Sequence, residues 1–371
     1  MKKIFFSVLA IAAIAACTKS EVQYDAPQEI GFAPATKNIT KAANSSGFLN
    51  SDDQLGVWAL WNYNSANNTV DGCTGTITDT GENPNPYTGY DTEYLANVKF
   101  GNRQDSNNWG GVDSEGNVVN YPWPTNGALV FAGYTIPEGE TINASYTLND
   151  DAETPDVDES DAMTFTNYTQ SENPAETYDL CWFGATSRSY DRTTSGAVPV
   201  TLSHALTWIT FKVKGETAQS LPVTGEWKVI NVVLNDVNTF GTGVCKGTTT
   251  TEDSKVTPAT ASWTSSESKD MTVFEGAHPI TDSAVTIEEE GEENGLVIIP
   301  QTPTSVTVKW RYAVGTGVFE ETRVIPLTLS PDNEWKAGVH YTYTIVFNGN
   351  EILLTPEYSG WDTVDQTVTV Q

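Results

Sequence analysis

Residues 205–215, ALTWITFKVKG, alternate between apolar and polar side chains, and this stretch decides the fold class of the 371-residue chain. Ile209, Phe211 and Val213 occupy every second position, and threonine or lysine lies between them. Successive side chains of a β-strand point to opposite faces of the sheet. The period of two therefore predicts a strand with one buried face and one solvated face.

The same period recurs towards the C-terminus. The stretches SVTVKWRYAV (305–314) and HYTYTIVFNG (340–349) repeat it, and the chain closes with Val364, Val368 and Val370 in phase. Helical periodicity is almost absent from the chain. These patterns predict an all-β protein built from antiparallel sheets that pack as sandwiches.

Polar, turn-forming clusters separate the predicted strands. Two acidic tracts, 149–161 and 288–294, are typical of solvated loops. In the first tract Asp156 begins an alternation of oxygen ligands like that of a calcium loop, but it lacks the glycine and the glutamate that such a loop requires. A solvated loop is the simpler interpretation, and calcium binding there stays open. Long irregular stretches are expected near residues 62–90, 102–118 and 248–269.

The N-terminus has the layout of a bacterial lipoprotein signal. Lys2 and Lys3 precede an apolar run of about 13 residues, which is too short to span a bilayer, and small residues then lead to Cys17. We expect cleavage before Cys17, attachment of a lipid to that cysteine, and export. An ordinary N-terminal helix or an unlipidated signal is the weaker alternative.

Composition limits the classes of partner. The chain has 48 acidic and 19 basic residues, a net charge of −29, and removal of Lys2 and Lys3 with residues 1–16 takes it to −31. Such a surface repels nucleic acid and anionic lipid. The 355 residues that remain exceed the usual size of one domain, so we expect two, 42–194 and 195–371, divided at the polar stretch around Ser195.

The cysteines and histidines do not form a recognisable catalytic or metal motif. After Cys17 there are three cysteines, Cys73, Cys181 and Cys245, so one disulfide plus a thiol and three buried thiols are both open. His204 and His340 lie at the edges of predicted strands, where a structural imidazole is the simpler interpretation. No catalytic fingerprint is present, so neither an enzyme, a cofactor nor a metal is expected.

Tryptophans offer the one feature that could indicate a ligand platform. Trp58, Trp208 and Trp310 lie in apolar runs and are expected to fill the core. Trp109 and Trp263 are expected to lie in polar loops and are the two candidates for ligand contact.

A short strand is also predicted just after the lipid site. Residues 29–33, EIGFA, place Ile30 and Phe32 on one face, and a polar linker follows that contains Lys37 and Lys41.

At this point the chain resembles the fimbrillin family, the lipoprotein pilins of type V pili. The resemblance covers most of the chain and depends on the order of its motifs: the lipobox; an IxFxP strand followed by TKA; GVWALW; YPWPTNGALVFAGYTIP; VTLSHALTWITFKV; LVIIPQTP before VTVKW; and WKAGVHYTYTIVFNGN with a terminal GWD. A lysine stands where arginine is commoner at the family's processing site, and the long acidic loop is a further departure.

The resemblance implies two tandem β-sandwich domains of transthyretin-like topology and a precursor anchored in the outer membrane by its lipid. A trypsin-like protease then removes the propeptide 17–41, with the cut mapped to the Lys41–Ala42 bond and the Lys37–Asn38 bond as second choice. Loss of the first strand opens a groove that a strand of the next pilin subunit fills. Donor-strand candidates are Ile352, Leu354, Val364, Val368 and Val370. The alternative is that they form the last strands of their own sandwich.

Other functions stay open at this stage. A surface-anchored glycan-binding lipoprotein would share the signal, the acidity and the tandem sandwiches. Within a pilus, an anchor subunit would keep its N-terminal segment and a tip subunit would not need to donate a strand. The expected partners are other pilin subunits, the outer membrane before processing, a processing protease, and a ligand on a host or bacterial surface.

Overall fold

In the computed structural model, the described residues form twenty strands. The described residues are 29–35, 53–62, 92–102, 109–124, 128–137, 139–147, 162–171, 178–189, 197–216, 227–247, 260–287, 295–314, 316–329, 333–348, 351–360 and 368–369. The strands are β1 (Gly31–Ala35), β2 (Gln54–Asn62), β3 (Thr92–Asn102), β4 (Trp109–Val112), β5 (Ala128–Ile136), β6 (Ala144–Thr147), β7 (Ala162–Thr169), β8 (Cys181–Ser189), β9 (Val198–Thr201), β10 (Ser203–His204), β11 (Thr207–Gly215), β12 (Trp227–Lys246), β13 (Thr260–Pro279), β14 (Val285–Thr286), β15 (Leu296–Ile298), β16 (Ser305–Val314), β17 (Gly317–Pro326), β18 (Val339–Asn348), β19 (Glu351–Gly360) and β20 (Val368–Thr369).

The all-β prediction is confirmed. No helix occurs in the part of the chain that the structure describes, and accordingly none there is long and apolar enough to cross a membrane. Most neighbouring strands pair antiparallel, as the sequence predicts, but β1 with β9 and β11 with β18 pair in parallel. The transthyretin-like topology stays a prediction.

The strands form three sheets. The first has eight strands in the order β10-β8-β5-β2-β3-β4-β1-β9. The second has the order β14-β11-β18-β19-β20, with β15 also paired to β11. The third has the order β17-β16-β12-β7-β6, with β13 paired to β12.

The first sheet closes on itself. Its two end strands, β9 and β10, are consecutive in the chain and only Leu202 separates them. β9 pairs with β1 at one end of the sheet, and β10 pairs with β8 at the other. The segment 198–204 therefore joins the two ends, and β1 is an inner strand of a barrel-like layer.

The described residues contain three clusters of buried side chains, which lie within the first sheet or between sheets. One fills the first sheet and contains Ile30 and Phe32. Another fills the space between the second and third sheets, where the predicted alternation of β11, β16 and β18 is confirmed by buried residues such as Ile209, Val308 and Tyr343. The third cluster combines residues of β5, β7 and β8 with residues that follow Ser195 in the chain.

Strands from both sides of the predicted domain boundary share the third sheet. The hairpin β6–β7 precedes the boundary, and β7 pairs with β12, which follows it. The twenty residues of β12 pair with β16 near their N-terminal end and with β7 near their C-terminal end, while β13 follows the other side. Ser195 itself lies outside the described residues, and the two-domain division stays a prediction.

Two of the stretches expected to be irregular contain strands. The first half of β13 falls within 248–269, and β4 falls within 102–118. The polar composition of 248–269 hid the first half of β13, because this strand is largely solvent-exposed and has few apolar residues to alternate. The four residues of β4 are all buried, but they are too few to show a period.

Candidate functional site

The strand β1 occupies a slot with a neighbour on each side. It pairs antiparallel with β4, where Phe32 lies opposite Trp109, and parallel with β9, where Phe32 lies opposite Val198. Both edges of β1 therefore contribute to the backbone ladder, although Pro34 has no N–H to donate. Removal of β1 would leave unpaired backbone groups on β4 and on β9.

The side chain of Phe32 fills an aromatic pocket in the first sheet. It is 0% exposed, and its ring makes edge-to-face contacts with Phe100 at 4.8 Å and Phe131 at 5.2 Å between centroids. Phe183 lies against it at 6.1 Å. Three of its neighbours thus come from three different strands, β3, β5 and β8, so that one side chain of β1 ties them together.

A glycine makes room for this pocket. A Cβ atom on Gly133 of β5 would lie 2.5 Å from the ring of Phe183 and 2.7 Å from the carbonyl oxygen of Gly56. Without a side chain at this position, the ring of Phe183 can cross β5 and reach Phe32. This contribution is not visible in the sequence, since a single glycine in an apolar run indicates only that some neighbour approaches closely.

Ile30 anchors the N-terminal end of the strand. Its side chain is 1% exposed, and its backbone N–H donates to the carbonyl oxygen of Tyr121 at 2.8 Å. Glu29 forms an antiparallel bridge with Pro122. The predicted strand with Ile30 and Phe32 on one face is therefore present, and both side chains point into the core of the first sheet.

The predicted lipidation and processing residues lie outside the described residues. These are Cys17, Lys37, Asn38, Lys41 and Ala42. Their assignments stay predictions.

The donor-strand candidates lie in two different structural settings. Ile352 and Leu354 lie in β19, opposite Phe347 and Ile345 of β18, and they pack half-buried against the core between the second and third sheets. Val368 lies in the two-residue strand β20 at the edge of the second sheet. Val364 and Val370 lie outside the described residues, and the donor assignment stays a prediction.

The two tryptophans expected in polar loops lie in strands, so that expectation was wrong. Trp109 begins β4 and is buried, 5% exposed, in the core that contains Phe32. Trp263 lies in β13, where its indole N–H donates to the carbonyl oxygen of Ala205 at 2.8 Å and its ring stacks on Phe165. Polar neighbours in the sequence concealed these packing roles.

His204 and His340 make hydrogen bonds and ring contacts within the protein. The imidazole of His204 is hydrogen-bonded to Asp179, with 2.7 Å between Nδ1 and Oδ2. His340 stacks on Trp208 at 3.6 Å between ring centroids, and its Nε2 lies 2.8 Å from the hydroxyl of Thr210. Burial, followed by the charge of Lys212, lowers the pKa of His340 to about 4.

The structure also brings together residues that the sequence analysis treated separately. Asp179, Cys181 and His204 have side-chain ligand atoms within 4.8 Å of one another, and all three residues are buried. Cys181 and Cys245 are free thiols, so they do not pair with each other, and burial raises the pKa of both. Cys73 lies outside the described residues.

Comparison with known proteins gives a family for this arrangement. Residues 40–361 match the family model described as fimbrillin-like. No curated protein sequence is significantly similar to the chain.

The chain is similar to several solved structures, one of which has a TM-score above 0.5. A fimbrial protein from Bacteroides vulgatus is 17% identical, with 90% of this chain and 99% of that chain covered and a TM-score of 0.52. A candidate cell adhesion protein from Bacteroides uniformis is 15% identical, with 90% and 99% covered and a TM-score of 0.46. A fimbrial assembly protein from Parabacteroides distasonis is 10% identical, with 93% and 99% covered and a TM-score of 0.35.

Fimbrillin-like proteins are structural adhesion proteins of the cell surface that associate with other pilin subunits, and they are not enzymes. The family model spans most of the chain, including every described strand from β2 to β19. The chain therefore belongs to the fimbrillin-like family.

Proposed function

We propose that the protein is a structural pilin subunit of a type V pilus. It is exported as a lipidated precursor, loses its N-terminal segment to a trypsin-like protease, and polymerises by strand exchange to support adhesion. The observation that carries this proposal is the placement of β1, the first described strand, between β4 and β9. The predicted cut at Lys41 lies a few residues beyond the end of this strand.

Loss of β1 would create a site that needs a new occupant. The pocket around Phe32 would be open to water, β9 would lose its pairing with β1, and β4 would keep β3 but lose the neighbour on its other side. Burial of a phenylalanine contributes about 1.5–3 kcal/mol, and each lost backbone hydrogen bond about 0.5–1.5 kcal/mol. A strand with apolar residues at alternate positions restores both contributions at once.

The donor that fits best is the segment after Gly360. Ile352 and Leu354 already pack in their own sheet, so using β19 as donor would unpack the second core. The strand β20 pairs with β19 through only Glu357 with Thr369 and Tyr358 with Val368, at the edge of the second sheet. Val368 and Val370 repeat the spacing of two that separates Ile30 from Phe32, and Val364 lies four residues before Val368 in the same phase.

The donor and the slot lie on different parts of the subunit. A contact between unlike surfaces continues from one copy to the next without closing, which builds an open filament. Cleavage would thus act as the control of assembly, since an intact precursor keeps its own slot filled.

Limited trypsin digestion of the precursor tests the proposal. We expect a discrete fragment that begins at Ala42, followed by ladders that resist mild detergent. The Lys41→Ala variant should keep its N-terminal segment and stay monomeric, while Lys37→Ala should be processed normally. A precursor that is cut cleanly and stays monomeric contradicts the proposed assembly. Assembly of Lys41→Ala at the normal rate contradicts the assigned cut.

The choice between pilus roles depends on the mature N-terminus. Sequencing of surface-sheared protein is expected to give Ala42, as for a polymerising stalk subunit. A start at Cys17 would instead identify an anchor. The glycan-binding alternative has less support from its two predicted platform residues, because Trp109 is buried and Trp263 is half-buried, with its ring packed on the core and its indole N–H bonded to Ala205.

A further inference from the structure

A cluster of three different metal-ligating side chains lies where the first sheet closes. His204 of β10 is opposite Cys181 of β8 in the strand register, and Asp179 is two residues before Cys181. The Nδ1 atom of His204 lies 2.7 Å from Oδ2 of Asp179 and 3.5 Å from Sγ of Cys181. One atom from each residue fits within 4.8 Å.

These separations are near those of a tetrahedral zinc site. With zinc–nitrogen and zinc–oxygen bonds of about 2.0 Å and a zinc–sulfur bond of about 2.3 Å, ligand atoms lie about 3.3–3.5 Å apart. The distance from His204 to Cys181 already has this value. Asp179 would need to move away from His204 by about 0.6 Å, which a carboxylate achieves by a small rotation.

The carboxylate of Asp179 supplies an independent indication. Its side chain is 1% exposed, and its Oδ1 atom has no hydrogen-bond partner within the described ranges of the chain. A buried carboxylate oxygen without a donor costs free energy, because the water that would solvate it has been removed. A cation held by both carboxylate oxygens of Asp179, together with Cys181 and His204, would satisfy this oxygen.

We propose that Asp179, Cys181 and His204 bind one zinc ion in the folded protein. Sulfur, nitrogen and oxygen ligands together favour zinc over calcium or magnesium, which prefer oxygen alone. Zn²⁺ with a thiolate, a carboxylate and a neutral imidazole has no net charge, as a buried site requires.

Binding changes the protonation of two ligands. An S–Zn bond replaces the S–H bond of Cys181, and the thiol proton leaves to solvent. The imidazole of His204 takes the tautomer with its proton on Nε2, so that Nδ1 can donate its electron pair to the metal. Because the cluster is buried, we expect the metal to enter as the chain folds.

The place of the cluster in the fold indicates what the metal would do. It would join β10 to the start of β8, and Leu202 alone separates β10 from β9. The strand β9 is one wall of the β1 slot. A metal bond at this seam would hold β9 in position when β1 is absent, independently of which strand later fills the slot.

Refolding with metal tests the site. The uncut chain, which keeps β1, is unfolded in denaturant with a chelator and refolded with one equivalent of Zn²⁺ or of Co²⁺. We expect one zinc per chain after gel filtration, a thiolate-to-cobalt charge-transfer band with the visible spectrum of tetrahedral Co²⁺, and a Tm about 5–10 °C above that of chain refolded without metal.

Two variants distinguish this cluster from other cysteines. Cys181→Ser should lose the cobalt charge-transfer band and the bound zinc. Cys245→Ser is the matched control, because Cys245 is an equally buried free thiol outside the cluster, and it should keep both. His204→Gln should weaken metal retention at least tenfold.

The wild-type chain alone can overturn the proposal, even if a variant fails to fold. Refolded wild-type protein that contains no zinc and shows the same Tm with and without metal would identify the cluster as a hydrogen-bonded network only. Loss of the cobalt band in Cys245→Ser, with the band retained in Cys181→Ser, would also overturn the assignment. Neither result depends on whether the chain assembles into a filament.

Discussion

Replacing Phe32 with alanine should destabilise the first sheet more than any change on its surface. The side chain is completely buried, and its pocket is formed by rings from three other strands. Alanine would leave a cavity there, because the strands around it belong to a closed layer that cannot easily collapse inward.

The expected loss follows from the contacts. Removal of the ring loses about 1.5–3 kcal/mol of burial and two edge-to-face pairs, with Phe100 and Phe131, of about 0.5–1.5 kcal/mol each. These contributions agree with the range of about 3–5 kcal/mol for Phe→Ala in cores, and we take about 4 kcal/mol. For a domain of this size the Tm should fall by about 10 °C.

Urea unfolding of the uncut precursor, followed by tryptophan fluorescence and far-UV circular dichroism, measures the loss. Phe319→Ala is the matched control, because that ring is 50% exposed on β17 and should cost about 1 kcal/mol or less. Equal losses in the two variants, or a loss below about 1 kcal/mol for Phe32→Ala, would refute the view that Phe32 ties the first sheet together.

Three further changes test other parts of the structure. The pKa of His340 is about 4 in the folded protein and about 6.5 in the unfolded chain, so the neutral imidazole contributes fully to stability above pH 6.5 and this contribution is lost as the pH falls towards 4. Between pH 7.5 and 4.5, the free energy of unfolding of His340→Gln should therefore fall by about 2–3 kcal/mol less than that of wild type in urea unfolding. Equal decreases in the two proteins would contradict this. Gly133→Ala should cost about 1–3 kcal/mol in the same assay, because its Cβ would lie 2.5 Å from the ring of Phe183, and a neutral result would show that the ring can move. Trp335→Phe removes the 2.8 Å hydrogen bond from the indole to the buried hydroxyl of Tyr343 and should cost about 1–3 kcal/mol, whereas unchanged unfolding would mean that the hydroxyl finds another donor.

The alternation of apolar and polar residues predicted which face of a strand is buried, but it did not predict which strand lies beside it. The inward residues of β11, β16 and β18 follow from the period of two, as does the burial of Phe32 in β1 and of Ile30 just before it. Thr210, Thr344 and Val346 lie on the faces predicted to be solvated and are buried as well. A period of two says which side chains are buried but contains no information about the neighbouring strand. The parallel pairing of β1 with β9, across more than 160 residues, therefore appears only in the structure.

The same limit explains the other differences. Trp263 has serine and threonine neighbours, which indicate a loop, yet the aromatic ring packs because β13 pairs along the whole of β12. The cluster of Asp179, Cys181 and His204 depends on cross-strand register between β8 and β10. Spacing along the chain does not reveal that register, so no metal-binding motif was visible in the sequence.

The length of β12 has a mechanical consequence. Antiparallel hydrogen bonds lie perpendicular to the strands, so a force along β12 shears its ladders with β7, β13 and β16. In shear the bonds share the load and several must break together, whereas a force across the strand would peel them apart one by one. The connection between the first half of the chain and the second is accordingly strongest against tension along this strand.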